Sequence, residues 1–287
     1  MQIASYQYCA CTWYVICLLF TQHDINLGLF QVVYYLRETK TPPPPFDALI
    51  QTLPFQFEHK RRLAELMLKT ARTNVKLRDA ISINGSISTE LLHSALDLDF
   101  QLETWTSELP PEWSTVNRYP MNNSNRPAWA KELFSLPGAP EYMACHSSLL
   151  AAADWNMYRA TRIRLNLSFL EYLSRIQSST WENQTLKSRT HHLLSMLTID
   201  IAEVIPYALS LSLDGSSDHA SPEDIPGIKA YVQLWPLLTA YVVSRHTLLD
   251  RKSWGDMEFW LKRVLCFCGD GMGLAKVHAF FDEEVSF

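Results

Sequence analysis

The sequence predicts an all-α protein: a multi-helix, orthogonal, array-like bundle with kinked buried helices and long aromatic loops. Three observations carry that prediction. Apolar residues recur in steps of three and four through several long stretches, the period that keeps one helix face on a core. No stretch alternates Val, Ile and Thr at every second position, so no sheet is expected. Hydrophobic residues make up 47% and charged residues 19% of the 287 residues, enough apolar material to exclude a disordered chain.

Residues 1–45 are expected to be an irregular, aromatic-rich segment ending in a stiff connector, Thr41-Pro42-Pro43-Pro44-Pro45. Residues 46–287 are expected to form one helical domain. From Glu58 to Ile81 the helix-spaced set is Leu63, Leu66, Met67, Thr70, Asn74, Leu77 and Ile81. From Thr89 to Leu109 it is Leu91, Ala95, Leu98, Leu102, Trp105 and Leu109, and Pro110-Pro111 then stops the helix. Residues 110–140 read as a long loop whose aromatic residues pack over the helical body. The clearest helix runs from Leu149 to Leu173 through Ala153, Met157, Ala160, Ile163, Leu167 and Leu170. The pattern from Leu186 to Leu213 should be kinked or interrupted by Pro206, and the apolar helix from Ile228 to Leu249 kinked by Pro236. A last helix covers Trp254 to Leu265, and Gly269-Asp270-Gly271-Met272-Gly273 breaks it.

Lys and Arg number 25 against 30 Asp and Glu, a net charge of −5 that argues against a protein wrapping nucleic acid with its whole body. The apolar run from Trp13 to Phe20 is far shorter than the roughly 20 residues of a membrane span. No Lys or Arg precedes it, as a signal peptide would need. No membrane association is expected. Cys9, Cys11, Cys17, Cys145, Cys266 and Cys268 show no C-x-x-C spacing and read as free thiols of a reducing, intracellular compartment. Sequons occur at Asn84, Asn122, Asn166 and Asn183, but Asn166 sits inside the strongest helix pattern, a poor place for a glycan.

Signatures of catalysis are missing. There is no G-x-S-x-G for a nucleophile elbow and no H-E-x-x-H for a zinc hydrolase. His191-His192 point to different sides of a helix and cannot chelate together. Asp99 and Glu103 share a helix face, yet no second acidic motif follows to hold magnesium against a diphosphate, so a solvated face is expected. The glycines at 269–273 follow a helix and lack the Lys of a phosphate loop. The helix at 58–79 carries seven basic residues (Lys60, Arg61, Arg62, Lys69, Arg72, Lys76, Arg78) against Glu58, Glu65 and Asp79, a local +4 expected to be a solvated face. Arg159 and Arg162 line a stripe with Trp155. Arg159 is expected to stack on Trp155 or to pair with Asp200 or Glu203.

Five stretches together resemble the fungal-specific transcription factor domain, the helical regulatory region that accompanies zinc-cluster DNA readers. The first is Ala95-Leu96-Asp97-Leu98-Asp99 with Leu102, Trp105, Leu109-Pro110 and Trp113. The second is Trp155-Asn156-Met157-Tyr158-Arg159 with Arg162-Ile163. The third is Ile201 to Ile205-Pro206-Tyr207. The fourth is Tyr231 with Leu234-Trp235-Pro236-Leu237, and the last is Trp260 with Met272-Gly273-Leu274. They cover residues 88–280. The resemblance implies an all-helical regulatory domain in which Trp105, Trp113, Trp155, Asn156, Tyr158, Arg159, Arg162, Pro206, Tyr231, Trp235, Pro236 and Gly273 are structural anchors rather than site residues.

The family's six-cysteine zinc cluster is not matched: Cys9, Cys11 and Cys17 have the wrong first spacing, no basic neighbours and no second trio. Zinc binding and sequence-specific DNA contact are therefore not expected of this chain, which either lacks a reader or is preceded by one in a longer product. The expectation is a transcription-regulator-like domain acting through protein partners, as a homo- or heterodimer, or by sensing an unidentified small-molecule effector. Residence in the nucleus follows from the resemblance and the run Lys60-Arg61-Arg62; the cytoplasm is the alternative. No enzyme activity, catalytic residue, metal or cofactor is expected. Two other readings stand beside this one: a helical enzyme acting on a small apolar substrate, with Asp99, Glu103 and His191 as its material, and a remnant of a longer gene with little function.

Overall fold

The computed structural model describes residues 27–44, 46–52, 55, 57–82, 88–121, 124–175, 181–274 and 277. Expectations for Cys9, Cys11, Cys17, Asn84, Asn122 and the apolar run at 13–20 lie outside these residues. The described chain is mainly helical, with one two-stranded sheet.

The first helix corrects the expectation of an irregular segment up to residue 45. Helix α1 (Leu27–Arg37) precedes the proline run, and its Val32 and Leu36 are fully buried in the main core. A short helix α2 (Phe46–Thr52) places Ile50 in the same core. Helix α3 (Glu58–Ser82) matches its predicted span, and Leu63, Leu66, Met67, Thr70, Asn74 and Leu77 are all buried. Thr70 resolves its polarity by donating to the Leu66 carbonyl at 2.8 Å.

Helix α4 (Thr89–Ser107) starts at Ser88, whose hydroxyl accepts from the Leu91 amide at 3.2 Å, and its Ala95, Leu98, Leu102 and Trp105 face inward. The Pro110-Pro111 stop also begins the next element, the single turn α5 (Pro111–Ser114), because proline suits the first helical position. The region expected to be loop up to 140 instead holds this turn, strand β1 (Val116–Pro120) and helix α6 (Ala128–Phe134). Strand β1 pairs antiparallel with β2 (Tyr142–His146), Arg118 opposite Ala144. Sequence periodicity does not show this hairpin because β1 is largely exposed on both faces and each strand has only five residues, too little for an alternation signal. Trp113 and Trp129 are buried, as expected of aromatic residues packed over the body.

Helix α7 (Leu149–Arg175) runs through the middle and packs against α3, α4 and β2, as well as the two helices that follow. Helix α8 (Trp181–Ala208) ends where Pro206 predicts, in its last turn. Ser210 there adopts a left-handed φ of 69°, and the Leu211 amide reaches back to the Pro206 carbonyl at 2.9 Å. Helix α9 (Gly227–Ser244) passes continuously through Pro236, and α10 (Arg251–Cys266) runs into a π-helical turn at Phe267–Gly271. Gly273, with φ of 71°, closes that turn.

Gly138 is the tightest of the described glycines. Its φ is 82°, and a Cβ would lie 2.1 Å from the Asp256 carbonyl oxygen, where the 136–139 turn meets α10. Gly138→Ala is expected to cost about 2 kcal/mol or more, through both backbone strain and backbone collision. Urea unfolding followed by circular dichroism checks this; an unchanged midpoint would refute it.

Candidate functional site

Helix α7 is buried on nearly every side, yet it carries Asp154, Asn156, Arg159, Arg162 and Asn166. Buried polar groups must find partners. These five reach in different directions because successive helical residues rotate by about 100°. The result is a polar seam joining α7 to four other helices.

The strongest join is to α4. Arg162 Nε and Nη2 donate to Asp99 Oδ1 and Oδ2 at 2.8 and 2.9 Å, a two-pronged pairing with 8% and 14% of the side chains exposed. Nη2 also reaches Glu103 at 3.2 Å, and Nη1 donates to the Tyr158 hydroxyl at 3.0 Å. Asn166 Nδ2 adds a bond to Asp99 Oδ1 at 2.7 Å. Burial works against the Arg162 charge, but the Asp99 bonds outweigh it and hold its pKa above the ordinary value. The expectation of a solvated face is thus corrected for Asp99, which Arg162 holds out of solvent, while Glu103 touches Arg162 and stays 56% exposed, as expected.

Toward α9, Asn156 Nδ2 donates to Gln233 Oε1 at 2.6 Å, while its own Oδ1 accepts from Arg159 Nη1 at 2.7 Å. Toward α8, Arg159 Nε lies 3.9 Å from Asp200, and its guanidinium sits 5.3 Å from the centre of the Trp155 ring. Both partners expected for Arg159 are therefore present. From the exposed side Arg118 of β1 grips Asp200 and stands 2.6 Å from Glu203 Oε2, a close ion contact off the hydrogen-bond direction. Burial pushes the Arg159 pKa down and the Glu203 pKa up.

Toward α3, Lys60 Nζ stands 3.6 Å from Asp154 Oδ2, with 3% and 9% of the side chains exposed. The ammonium also lies 5.0 Å from the Trp113 ring centre. Lys60 is therefore withdrawn from the basic run with Arg61 and Arg62. The other basic residues of α3 are partly engaged too: Arg72 forks onto Asp47 at 2.6 and 2.8 Å, and Arg61 pairs with Glu58 and Glu65. Burial raises the Asp154 pKa to about 6 despite the nearby ammonium.

The aromatic anchors close over this seam. Trp105 stacks on Tyr158 at 5.3 Å and meets Trp155 edge-on at 6.1 Å. Trp105 Nε1 donates to the His59 carbonyl and Trp155 Nε1 to the Trp113 carbonyl, both at 2.8 Å. Hence Trp105, Trp113, Trp155, Asn156, Tyr158, Arg159 and Arg162, which come from two separated stretches, meet in one cluster. Pro206, Tyr231, Trp235, Pro236 and Gly273 lie apart from it; Pro206 ends α8, Trp235 and Pro236 are buried in α9, Tyr231 is half-buried, and Gly273 closes the π turn. Two members escaped sequence reasoning, His59 and His146. His146 is buried beside Arg159, both its ring nitrogens lack hydrogen-bond partners, and burial followed by the Arg159 charge lowers its pKa to about 3. Nothing in their sequence neighbourhood marks them, since their burial depends on the hairpin and on α5.

Chemically the seam anchors. Its acids are matched to cations, and among the described residues no group of three His, Cys, Asp or Glu could hold a metal. Cys145, Cys266 and Cys268 are free thiols, and burial raises the Cys268 pKa to about 12. No helix among the described residues is long and apolar enough to cross a membrane. No family model matches the chain, and no curated protein or solved structure matches it either.

Two outcomes follow for stability. Arg162→Ala leaves the buried Asp99 uncompensated and is expected to cost about 3 kcal/mol, with D99N/R162M recovering part of the loss; denaturant titration of the three variants checks this. The second concerns acid. The raised pKa of Asp154 means that the folded state takes up its proton first, so this group favours folding as pH falls through 6 toward 4. The lowered pKa of His146 acts oppositely, with full stability above about 6.5 that is lost as pH falls toward 3. Asp154→Asn is therefore expected to steepen the loss of stability between pH 6 and about 4. A variant with the wild-type pH slope would contradict the assignment.

Proposed function

We propose that the chain is a helical regulatory domain of the fungal transcription-factor type, with its helices in an orthogonal array, that acts through protein partners. The observation that carries this reading is the convergence of the resembling residues. Trp105 and Trp113, from one stretch, meet Trp155, Tyr158, Arg159 and Arg162, from another, and hold one another in stacked, bonded positions. Those are the anchoring roles that the resemblance implies. The engagement of Asp99 and Glu103 by Arg162 favours anchoring over catalysis for the acids an enzyme would have drawn on.

In this reading target choice comes from a partner or from a separate reader, because the sequence holds no basic six-cysteine cluster. Burial of Lys60 leaves Arg61 and Arg62 as the accessible part of the short basic run, so nuclear residence would be obtained together with a partner. An effector, if one binds, would act by shifting the packing of α7 against its neighbours, the place where most buried polar contacts concentrate.

The test is a tethering experiment. The full chain, fused to an unrelated DNA-binding domain, is expected to raise or lower a reporter placed behind the matching sites by about tenfold, while R162A gives less of the effect at equal protein level. A fusion present in the nucleus that leaves the reporter unchanged would count against the regulatory reading.

A further inference from the structure

We propose that the outer face of α8 is a self-association surface, on which a second copy of this chain docks antiparallel to form a symmetric dimer. This stands independently of the regulatory reading.

The face begins with Trp181, the most exposed large apolar side chain among the described residues, 73% exposed at the first position of the helix. Trp181, Gln184, Thr185, Ser188, Arg189 and His192 line an open groove along it. Trp181, Thr185, Ser188 and His192 are spaced four, three and four apart, so they form one stripe, the spacing of a two-helix seam. One turn further on, Met196 remains 45% exposed. Neither Glu182 nor Arg189 makes an ion pair among the described residues.

The stripe is self-complementary. An antiparallel crossing midway between residues 186 and 187 sets Trp181 level with His192 of the second copy, and Thr185 level with Ser188 of the second copy. The small hydroxyl residues at the centre allow close approach of the two helix backbones. Helical side chains lean toward the N-terminus, so each indole tilts past His192 toward Met196 of the other copy. That contact covers the exposed aromatic ring with an imidazole and a thioether.

Charge fixes the choice of occupant. A twofold axis perpendicular to the crossing keeps each flank of the stripe on its own side. Glu182 and Arg189 lie on the same flank, about two helical turns apart. In the antiparallel arrangement Glu182 of one copy therefore stands beside Arg189 of the other, twice over. In a parallel arrangement the twofold axis runs along the seam and sets each flank beside the opposite flank of the second copy, so Glu182 and Arg189 would stand beside Gln184 and His191 rather than beside each other. An unrelated apolar helix would leave both charges unanswered.

The test is sedimentation velocity of the full chain up to about 100 µM. Wild type is expected to sediment as a concentration-dependent dimer. W181A, at an exposed position where folding is retained by circular dichroism, is expected to weaken the dimer by about tenfold or more. R189E alone is expected to weaken it, and E182R/R189E to restore it to within about threefold of wild type. A wild-type chain that stays monomeric throughout overturns the proposal. A dimer indifferent to both W181A and R189E overturns it as well, as does a charge exchange that fails to restore association.

Discussion

The positive charge of Arg162 in the middle of the bundle is the constraint on which the other contacts rest. A guanidinium surrounded by other helices needs acceptors brought to it, and for Arg162 the chief one is a carboxylate. Asp99 is delivered by α4, sixty-three residues away in sequence, and arrives as a fork aligned on the planar guanidinium. That geometry tolerates little sliding of α4 along α7. Glu103, Tyr158 and Asn166 then tighten the same point. Removing the acid would strand the cation, and removing the cation would strand the acid, so each holds the other in place.

The remaining polar residues of α7 repeat the logic in other directions. Asn156 ties to Gln233 of α9, Arg159 to Asp200 of α8, and Asp154 to Lys60 of α3. Apolar packing alone permits several rotations of a helix about its axis, since Leu and Ile contacts are not directional. Four polar joins in four directions leave one rotation. This is the bundle's source of uniqueness more than of net stability, because each buried charge loses hydration that its partner only partly replaces.

The indoles do for the connecting segments what the arginines do for the helices. Trp105, Trp129, Trp155 and Trp260 each donate their ring N–H to a main-chain carbonyl distant in sequence, at His59, His219, Trp113 and Leu133. A side chain that is mostly apolar but carries one donor can enter the core and still answer a backbone oxygen there. The long stretch between α4 and α7 is thereby held down without a large sheet of its own. The outer faces of α8 and α4, where Trp181, Met196 and Phe100 are exposed, lie outside this network.

The sequence by itself determined the long helices and some of their ends. Periodicity over a few turns marked α3, α4, α7, α8 and α9, and Pro110-Pro111 and Pro206 marked stops, because both signals are carried by residues within one or two turns of each other. The packing of Trp105, Trp113 and Trp155 and the contacts of Arg159 with Trp155 and an acid were legible as well, because large side chains on an inward helix face have few other places to go. Only the tertiary structure decided that Asp99 is engaged rather than solvated, that Lys60 is buried against Asp154, that α1 belongs to the core, and that 116–120 pairs with 142–146. Each of these depends on a partner brought near by the packing of whole helices. A carboxylate facing water and one facing a buried arginine have the same local sequence, and the difference between them is the free energy of a contact that exists only once the chain has folded.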